Sequence, residues 1–250
     1  MNLISFSLYG KSEVYSCGAV ENARLARALF PEWQTIFFLD ELVSPSVKIE
    51  LESLGALTVG MGKSTASSGM FWRFHAVELP GVERVIFRDT DSRISSRECL
   101  LIQEWTQSEK ELHIIRDHPF HAIPILGGMW GVQGSRAIEE VRFALESNSS
   151  LNPESYGSDQ VFLARAIYPL FSGRMMVHDA IFNFERGVVR PPKRASGEFV
   201  GERINCLGEP ELENRLTLMK VEASFARLLV TRLVANLRNY LGRKNSLFRS

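Results

Sequence analysis

The chain has 250 residues, 45% of them hydrophobic, with 29 basic and 29 acidic side chains and a formal net charge of zero. That length and apolar fraction let one large domain, or one domain with an appendage, bury a full core. A neutral balance supplies no global field to attract nucleic acid, so nucleic acid is not an expected partner. No apolar run has the length that spans a bilayer.

In chain order, the opening MNLISFSLYG has too few apolar residues and no basic leader for a secretory signal, and it reads as a first strand ending at Gly10. ENARLARALF is helical and stops before Pro31, and QTIFFL is a short continuous apolar run, as a strand buried on both faces would be. SPSVKIELESLG enters with Ser-Pro and stops at glycine, so it reads as a helix, and ALTVGM follows as a strand. VERVIFRD, SSRECLLIQEWTQ and ELHIIRD continue as strand, serine-capped helix and strand. This alternation predicts an α/β fold with a mostly parallel sheet flanked by helices. In such sheets ligands bind beyond the carboxyl ends of the strands.

Past Ile123 the regularity breaks down. PILGGMWGVQG reads as a glycine-rich loop, SRAIEEVRFALES as a helix, SNSSLNPESYGS as a loop, DQVFLARAIYPLF as a helix and RMMVHD as a late strand. FERGVVRPPKRASGEFVGE is rich in Pro, Gly and basic residues and is expected to be extended or mobile. From Arg215 the chain reads as one or two helices, which divides it into residues 1–205 and a basic C-terminal helical appendage over 206–250. The three cysteines, Cys17, Cys99 and Cys206, are odd in number, far apart and without a CxxC pairing. They read as reduced thiols of an intracellular protein, each buried as a small hydrophobe.

The acids are unevenly typed: 23 are Glu and six are Asp. Asp89 and Asp91 stand at the end of VERVIFRD. Two carboxylates at i and i+2 just past a buried strand can converge on a hard divalent cation, Mn²⁺ or Mg²⁺, which commonly also holds phosphates. The same pair serves equally well as turn or cap residues, so its surroundings decide its weight.

Those surroundings carry a pattern. It runs Phe71-Trp72-Arg73-Phe74, Arg88-Asp89-Thr90-Asp91-Ser92, Arg97-Glu98, Glu104-Trp105, Ser108, His113, Arg116-Asp117-His118-Pro119, His121, Pro124-Ile125 and then Gly127 to Gly131, with GSDQVFLARAI beyond. The pattern resembles GT-A type nucleotide-sugar glycosyltransferases, and among them a group of small bacterial and viral glycosyltransferase-like proteins. The resemblance covers residues 1–205 and is densest in the middle third.

The resemblance implies a GT-A, Rossmann-like fold and metal-dependent transfer of a hexose from a UDP- or GDP-linked sugar. The acceptor would be a glycan or a lipid-linked precursor of a bacterial surface polysaccharide, handled in the cytoplasm or at the inner face of the membrane. Asp91 would bind the metal directly, and Asp89 would lie nearer the ribose or bind through water. His178 or Asp179 would add a late ligand. Tyr9 would stack on the base, with Asn22 and Arg73 lining the nucleotide pocket, and Arg88 and Arg93 would steady phosphates or pair with the aspartates. Gly127 and Gly128 would let the backbone approach the sugar, Trp130 would stack on it, and His118 and His121 would contact sugar or acceptor. Asp117 would accept a donor-sugar hydroxyl. Asp159 would act as catalytic base or sugar contact, with Gln160 beside it.

Each residue also has a plainer account. Gly157 or Ser158 caps a helix whose first turn favours the negative charge of Asp159. Arg73 suits a helix surface, Trp130 a buried turn and His178 a strand end. The spacing of His113, His118 and His121 is poor for structural zinc. Two rivals keep the fold or the paired acids: a catalytically silent nucleotide- or carbohydrate-binding protein, and a metal-dependent nucleotidyltransferase. The second would want a phosphate loop near the first strand, for which SLYGKSEVYSCG is a poor match. At the far end, Leu229, Leu233, Leu237, Tyr240 and Leu241 share one helical face, with Arg227, Arg232, Arg238 and Arg243 off it. Such a helix suits an anionic membrane surface, packing on its own domain, or a homodimer contact.

Overall fold

The computed structural model describes residues 1–64, 68–147, 157–194, 197–225 and 227. The chain divides into two compact units, Met1–Glu211 and Leu212–Ser250. The first is built on β1 (Asn2–Leu8), β2 (Gln34–Leu39), β3 (Leu57–Gly60), β4 (Arg84–Arg88), β5 (Leu112–Arg116), β6 (Trp130–Gln133) and β7 (Met175–Asp179). They form one sheet in the order β3-β2-β1-β4-β6-β5-β7. β6 runs antiparallel to β4 and β5, and every other pairing is parallel.

The continuous apolar runs follow from burial on both faces. Along β4, Val85 and Phe87 enter one core and Ile86 the other. α1 (Glu13–Leu29), α2 (Pro45–Ser53) and α4 (Ser96–Thr106) cover one face through Ala19, Leu51, Leu101 and Trp105. The other face is covered by α3 (Gly69–Trp72) with the tight turn Arg73–Glu78, by α5 (Ser135–Ser147) and by α6 (Ser158–Phe162), through Trp72, Phe74, Ala137 and Phe162. β1 breaks its own apolar pattern on that face with Ser5 and Ser7, and both are used. Ser5 Oγ donates to Arg73 O at 2.6 Å, and Arg73 N donates to Ser7 Oγ at 2.9 Å. The central strand thereby fixes the backbone of Arg73.

Four sequence expectations need correction. PILGGMWGVQG is not all loop, because its second half is β6. A side chain at Gly131 would sit 2.8 Å from Ile86 Cγ2 and 2.9 Å from Val85 O, so glycine is required by close strand packing there. α1 begins at Glu13, ahead of the legible ENARLARALF stretch. It includes Gly18, whose missing Cβ leaves room for Thr90 O. The FERGVVRPPKRASGEFVGE stretch is tied down at described residues rather than mobile: Arg194 Nη1 donates to Asp117 O at 3.2 Å, and Asp179 N donates to Val189 O at 3.0 Å. Finally, Cys17 and Cys206 form a disulfide across a sequence separation of 189, leaving Cys99 as the free thiol.

In the second unit, residues 212–225 are helical, and Leu212, Leu216 and Met219 are exposed. The Leu229-to-Leu241 face, with Arg232, Arg238 and Arg243, lies outside the described residues. Among the described residues no helix is long and apolar enough to cross a membrane.

Candidate functional site

A pocket opens at the carboxyl edge of β1 and β4. Ser7 and Tyr9 come from the end of β1, Asp89, Thr90 and Asp91 from the loop after β4, and Gly157, Asp159 and Gln160 from the start of α6. Arg73 joins these parts. Its Nη1 donates to Asp89 Oδ1, and its Nη2 donates to Asp159 Oδ2 at 2.9 Å. The guanidinium is nearly fully buried, yet its pKa is raised, because Asp89 and Asp159 together outweigh the burial that opposes its charge. Burial pushes the Asp159 carboxyl up, and Arg73 counters that. The Asp89 side chain is half exposed.

The glycine pair before β6 is explained by these carboxylates. A Cβ at Gly127 would overlap Asp159 Oδ2 and sit 2.5 Å from Arg73 Nη2, and one at Gly128 would overlap the Asp89 carboxylate. The space glycine leaves is filled by the protein's own acids. Gly69 does the same for Tyr9, whose Cδ1 a Cβ would meet at 2.6 Å. The Tyr9 ring meets Trp72 edge-on at 6.2 Å, and burial pushes its hydroxyl up to about 12. The phenol therefore stays neutral across the physiological range.

Asp91 is the strained member of the acidic pair. Burial first, and then the nearby Asp89, raise its carboxyl to about 6, against the pull of Arg203, whose Nε lies 3.4 Å from Oδ2. Two like charges forced together in this way are the arrangement a divalent cation relieves. Among the described residues no group of three His, Cys, Asp or Glu is arranged to hold a metal. Asp89 and Asp91 are the two pocket acids that could hold a divalent cation such as Mn²⁺ or Mg²⁺.

Several sequence candidates are not brought to this pocket. Arg88 turns inward, pairing with Glu98 through Nε and donating to Trp130 O at 3.0 Å, so it ties β4 to α4 and β6 and does not reach a diphosphate. Asp117 is fully buried and accepts from Arg97 Nε (2.7 Å) and Nη2 (2.9 Å), Arg194 Nη2 (3.1 Å) and Val200 N (3.0 Å). Four donors fill the acceptor sites of a carboxylate, leaving none for a sugar hydroxyl. Trp130 is buried against Phe87, with centroids 4.1 Å apart, and cannot stack on a sugar. His118 and His121 are buried and pack on Phe199. His118 Nδ1 accepts from Phe120 N at 3.1 Å, and His121 Nδ1 accepts from Asp117 N at 3.1 Å.

His178 is fully buried with both ring nitrogens engaged, by His113 at 2.7 Å and Glu104 at 3.1 Å. Asp179 Oδ2 accepts from Arg116 Nε at 2.9 Å, and Oδ1 accepts from Ile181 N and Phe182 N. Neither residue lines the pocket. Asn22 braces the loop after the acidic pair, donating to Ser92 O at 2.8 Å and accepting from Ile94 N at 2.9 Å. Arg93 bonds to Thr90 O and Ser92 O. Sequence reasoning missed Ser7, Tyr15 and Met70 in the pocket wall and Arg203 beside Asp91. No motif marks any of them, since fold alone brings them there.

No protein-family model matches the chain, and no curated protein is similar to it. Solved structures do align with it. A glycosyltransferase involved in glycosylation of the major capsid of PBCV-1 aligns over 73% of this chain and 84% of that one, with 14% identity and a TM-score of 0.48. The galactosyltransferase LgtC, solved with donor and acceptor sugar analogs, aligns over 74% and 75%, with 13% identity and a TM-score of 0.46. A 4-diphosphocytidyl-2C-methyl-D-erythritol synthase from Anaerococcus prevotii aligns over 71% and 86%, with 13% identity and a TM-score of 0.44. Likenesses at this level carry no inference about chemistry. The fold assignment rests on the strand order and the reversed β6. The chain has an α/β fold built on a mostly parallel seven-stranded sheet with one reversed strand.

Proposed function

We propose that the chain is a glycosyltransferase that takes a hexose from a nucleoside diphosphate sugar with the help of Mn²⁺ or Mg²⁺. The observation that carries this reading is the shared guanidinium: Arg73 bonds to both Asp89 and Asp159 at a pocket that Asp91 also lines. In this reading Asp89 and Asp91 serve the cation and diphosphate, and Asp159 serves the sugar.

Tyr9, held flat against Gly69, offers a ring for the base. Asp89 and Asp91 would hold the cation, which when bound supplies Lewis-acid stabilisation of the leaving diphosphate. Asp159 shares Arg73 with Asp89 and has a carboxyl raised by burial, which makes it a better proton acceptor than a solvated aspartate. It serves either as base toward the acceptor hydroxyl or as a hydrogen-bond acceptor for the sugar, with Gln160 next to it at the pocket wall. The acceptor in this reading is a glycan or lipid-linked precursor.

The test is a panel of UDP- and GDP-sugars assayed for metal-dependent hydrolysis. The expected result is release of nucleoside diphosphate and free sugar with Mn²⁺ or Mg²⁺, abolished by chelation and by Asp91→Asn. Binding without turnover across the panel would identify a silent binder. Pyrophosphate release from nucleoside triphosphates would identify a nucleotidyltransferase.

A further inference from the structure

The stretch after Gly201 crosses the loop that follows β4, directly against one of its two acids. Ile204 N donates to Asp91 O at 2.9 Å, and Arg203 bridges Ser92 in antiparallel fashion. Arg93 Nη2 lies 3.3 Å from both Ile204 O and Asn205 O, and Cys206 is bonded to Cys17 on α1. Residues 203–206 are thus a strap with a fixed backbone. From it the Arg203 side chain reaches Asp91, with Nε 3.4 Å from Oδ2, while its Nη1 lies 3.3 Å from Glu211 Oε1. The side chain is 49% exposed, so it can move although its backbone cannot.

We propose that Arg203 is an exchangeable counter-cation of Asp91. With no divalent cation bound it neutralises the carboxylate, and once displaced it turns its guanidinium onto the phosphate oxygens of the nucleoside diphosphate. This rests on reading the pocket as a cation-assisted nucleotide-sugar site. A carboxylate that takes a divalent cation cannot keep a guanidinium on the same oxygens without bringing two positive centres together. The displaced group stays tethered within a side chain's length of the cation it yielded to, where diphosphate oxygens gather. A planar guanidinium fork matches two of those oxygens at once. The strap's attachments mean that little backbone freedom is lost in the exchange.

Calorimetry on the full chain tests this in two arms. In the first, MnCl₂ is titrated without nucleotide. Arg203→Gln is expected to bind about three- to fivefold more tightly than wild type, the range for removing a half-exposed ion pair that competes with the ligand. In the second, UDP and GDP are each titrated at saturating MnCl₂, and Arg203→Gln is expected to bind about tenfold more weakly, for loss of a charge-assisted contact. Arg203→Lys should restore the wild-type Mn²⁺ affinity and only part of the nucleotide affinity. Equal affinities in either arm, or weakening in both, overturns the exchange, and thermal melting of each variant identifies strap damage as the cause in the last case. If wild type binds neither Mn²⁺ nor Mn²⁺ with nucleotide, the cation-assisted reading falls and this inference with it. Wild-type binding with no difference in the variants sinks the inference alone.

Discussion

Arg73 donates one guanidinium nitrogen to Asp89 and the other to Asp159, and so ties the acidic loop after β4 to the start of α6. Its backbone is held in turn by Ser5 and Ser7. One buried arginine therefore fixes two of the pocket's acids relative to each other. Arg73→Met should leave two acids facing each other without their cation. Breaking a buried pair from one side costs about 3–5 kcal/mol. A lowered unfolding midpoint with near-complete loss of sugar release is expected, and a variant that melts normally and turns over normally would refute this placement.

The two glycines before β6 make a sharper test, because each packs against a different one of the two acids. Gly128→Ala puts a methyl where the Asp89 carboxylate lies, and Gly127→Ala puts one where Asp159 lies. Overpacking of this kind costs about 1–3 kcal/mol. Gly128→Ala should impair Mn²⁺ binding, whereas Gly127→Ala should slow turnover and spare Mn²⁺ binding. Calorimetry and the hydrolysis assay separate the two.

Asp117→Asn should behave as a folding variant. The acid is the meeting point of Arg97, Arg194 and Val200 N, far inside the protein. Neutralising it leaves buried arginines short of their partner, at a cost of about 3 kcal/mol or more. Chemical denaturation should register the loss, while the turnover of the folded fraction stays within about twofold of wild type. A selective collapse of turnover with normal stability would restore Asp117 to the chemistry.

Acid should destabilise the fold through its buried histidines. Burial first, and then His118, push the His121 ring down to about 3, and burial also lowers His113 and His178. These rings are neutral when folded and pick up protons on unfolding below their ordinary value of about 6.5. Their contribution is therefore complete above that value and lost as pH falls from about 6.5 toward the depressed folded values. The slope is about 1.4 kcal/mol per pH unit for each ring concerned. Urea midpoints measured between pH 7 and pH 4 should fall accordingly, and His121→Gln should flatten the curve.

The sheet was legible because burial on both faces leaves continuous apolar runs, as in QTIFFL and VERVIFRD, and because α4 announces itself with a serine whose side chain accepts from Glu98 N. β6 was not legible. Glycines read as loop when considered one by one, and only the neighbouring strand shows that Gly131 is a packing residue. The site divides the same way. Asp89, Asp91, Arg73, Tyr9, Asp159 and Gln160 stand close to a strand end or a helix start, and the structure brings them to one pocket. The histidines, Asp117, Arg88 and Trp130 look equally chemical in sequence, yet their polar atoms or rings are engaged by interior partners. Whether a polar side chain faces a pocket or another side chain depends on contacts distant in sequence. The disulfide was hidden for the same reason, since 189 residues separate its halves.

The reversal of β6 has a mechanical consequence. Because it runs against its neighbours, the chain enters β6 from the carboxyl edge, and pairing of Phe87 with Trp130 sets Gly128 beside Asp89. The aromatic packing of the core thus serves as a ruler for the acids outside it. A change in the bulk of Trp130 would be transmitted through the turn at residues 127–129 to the spacing of the carboxylates. Interior drift and surface chemistry are geared together at this strand, so this part of the core is the least free to vary without retuning the pocket.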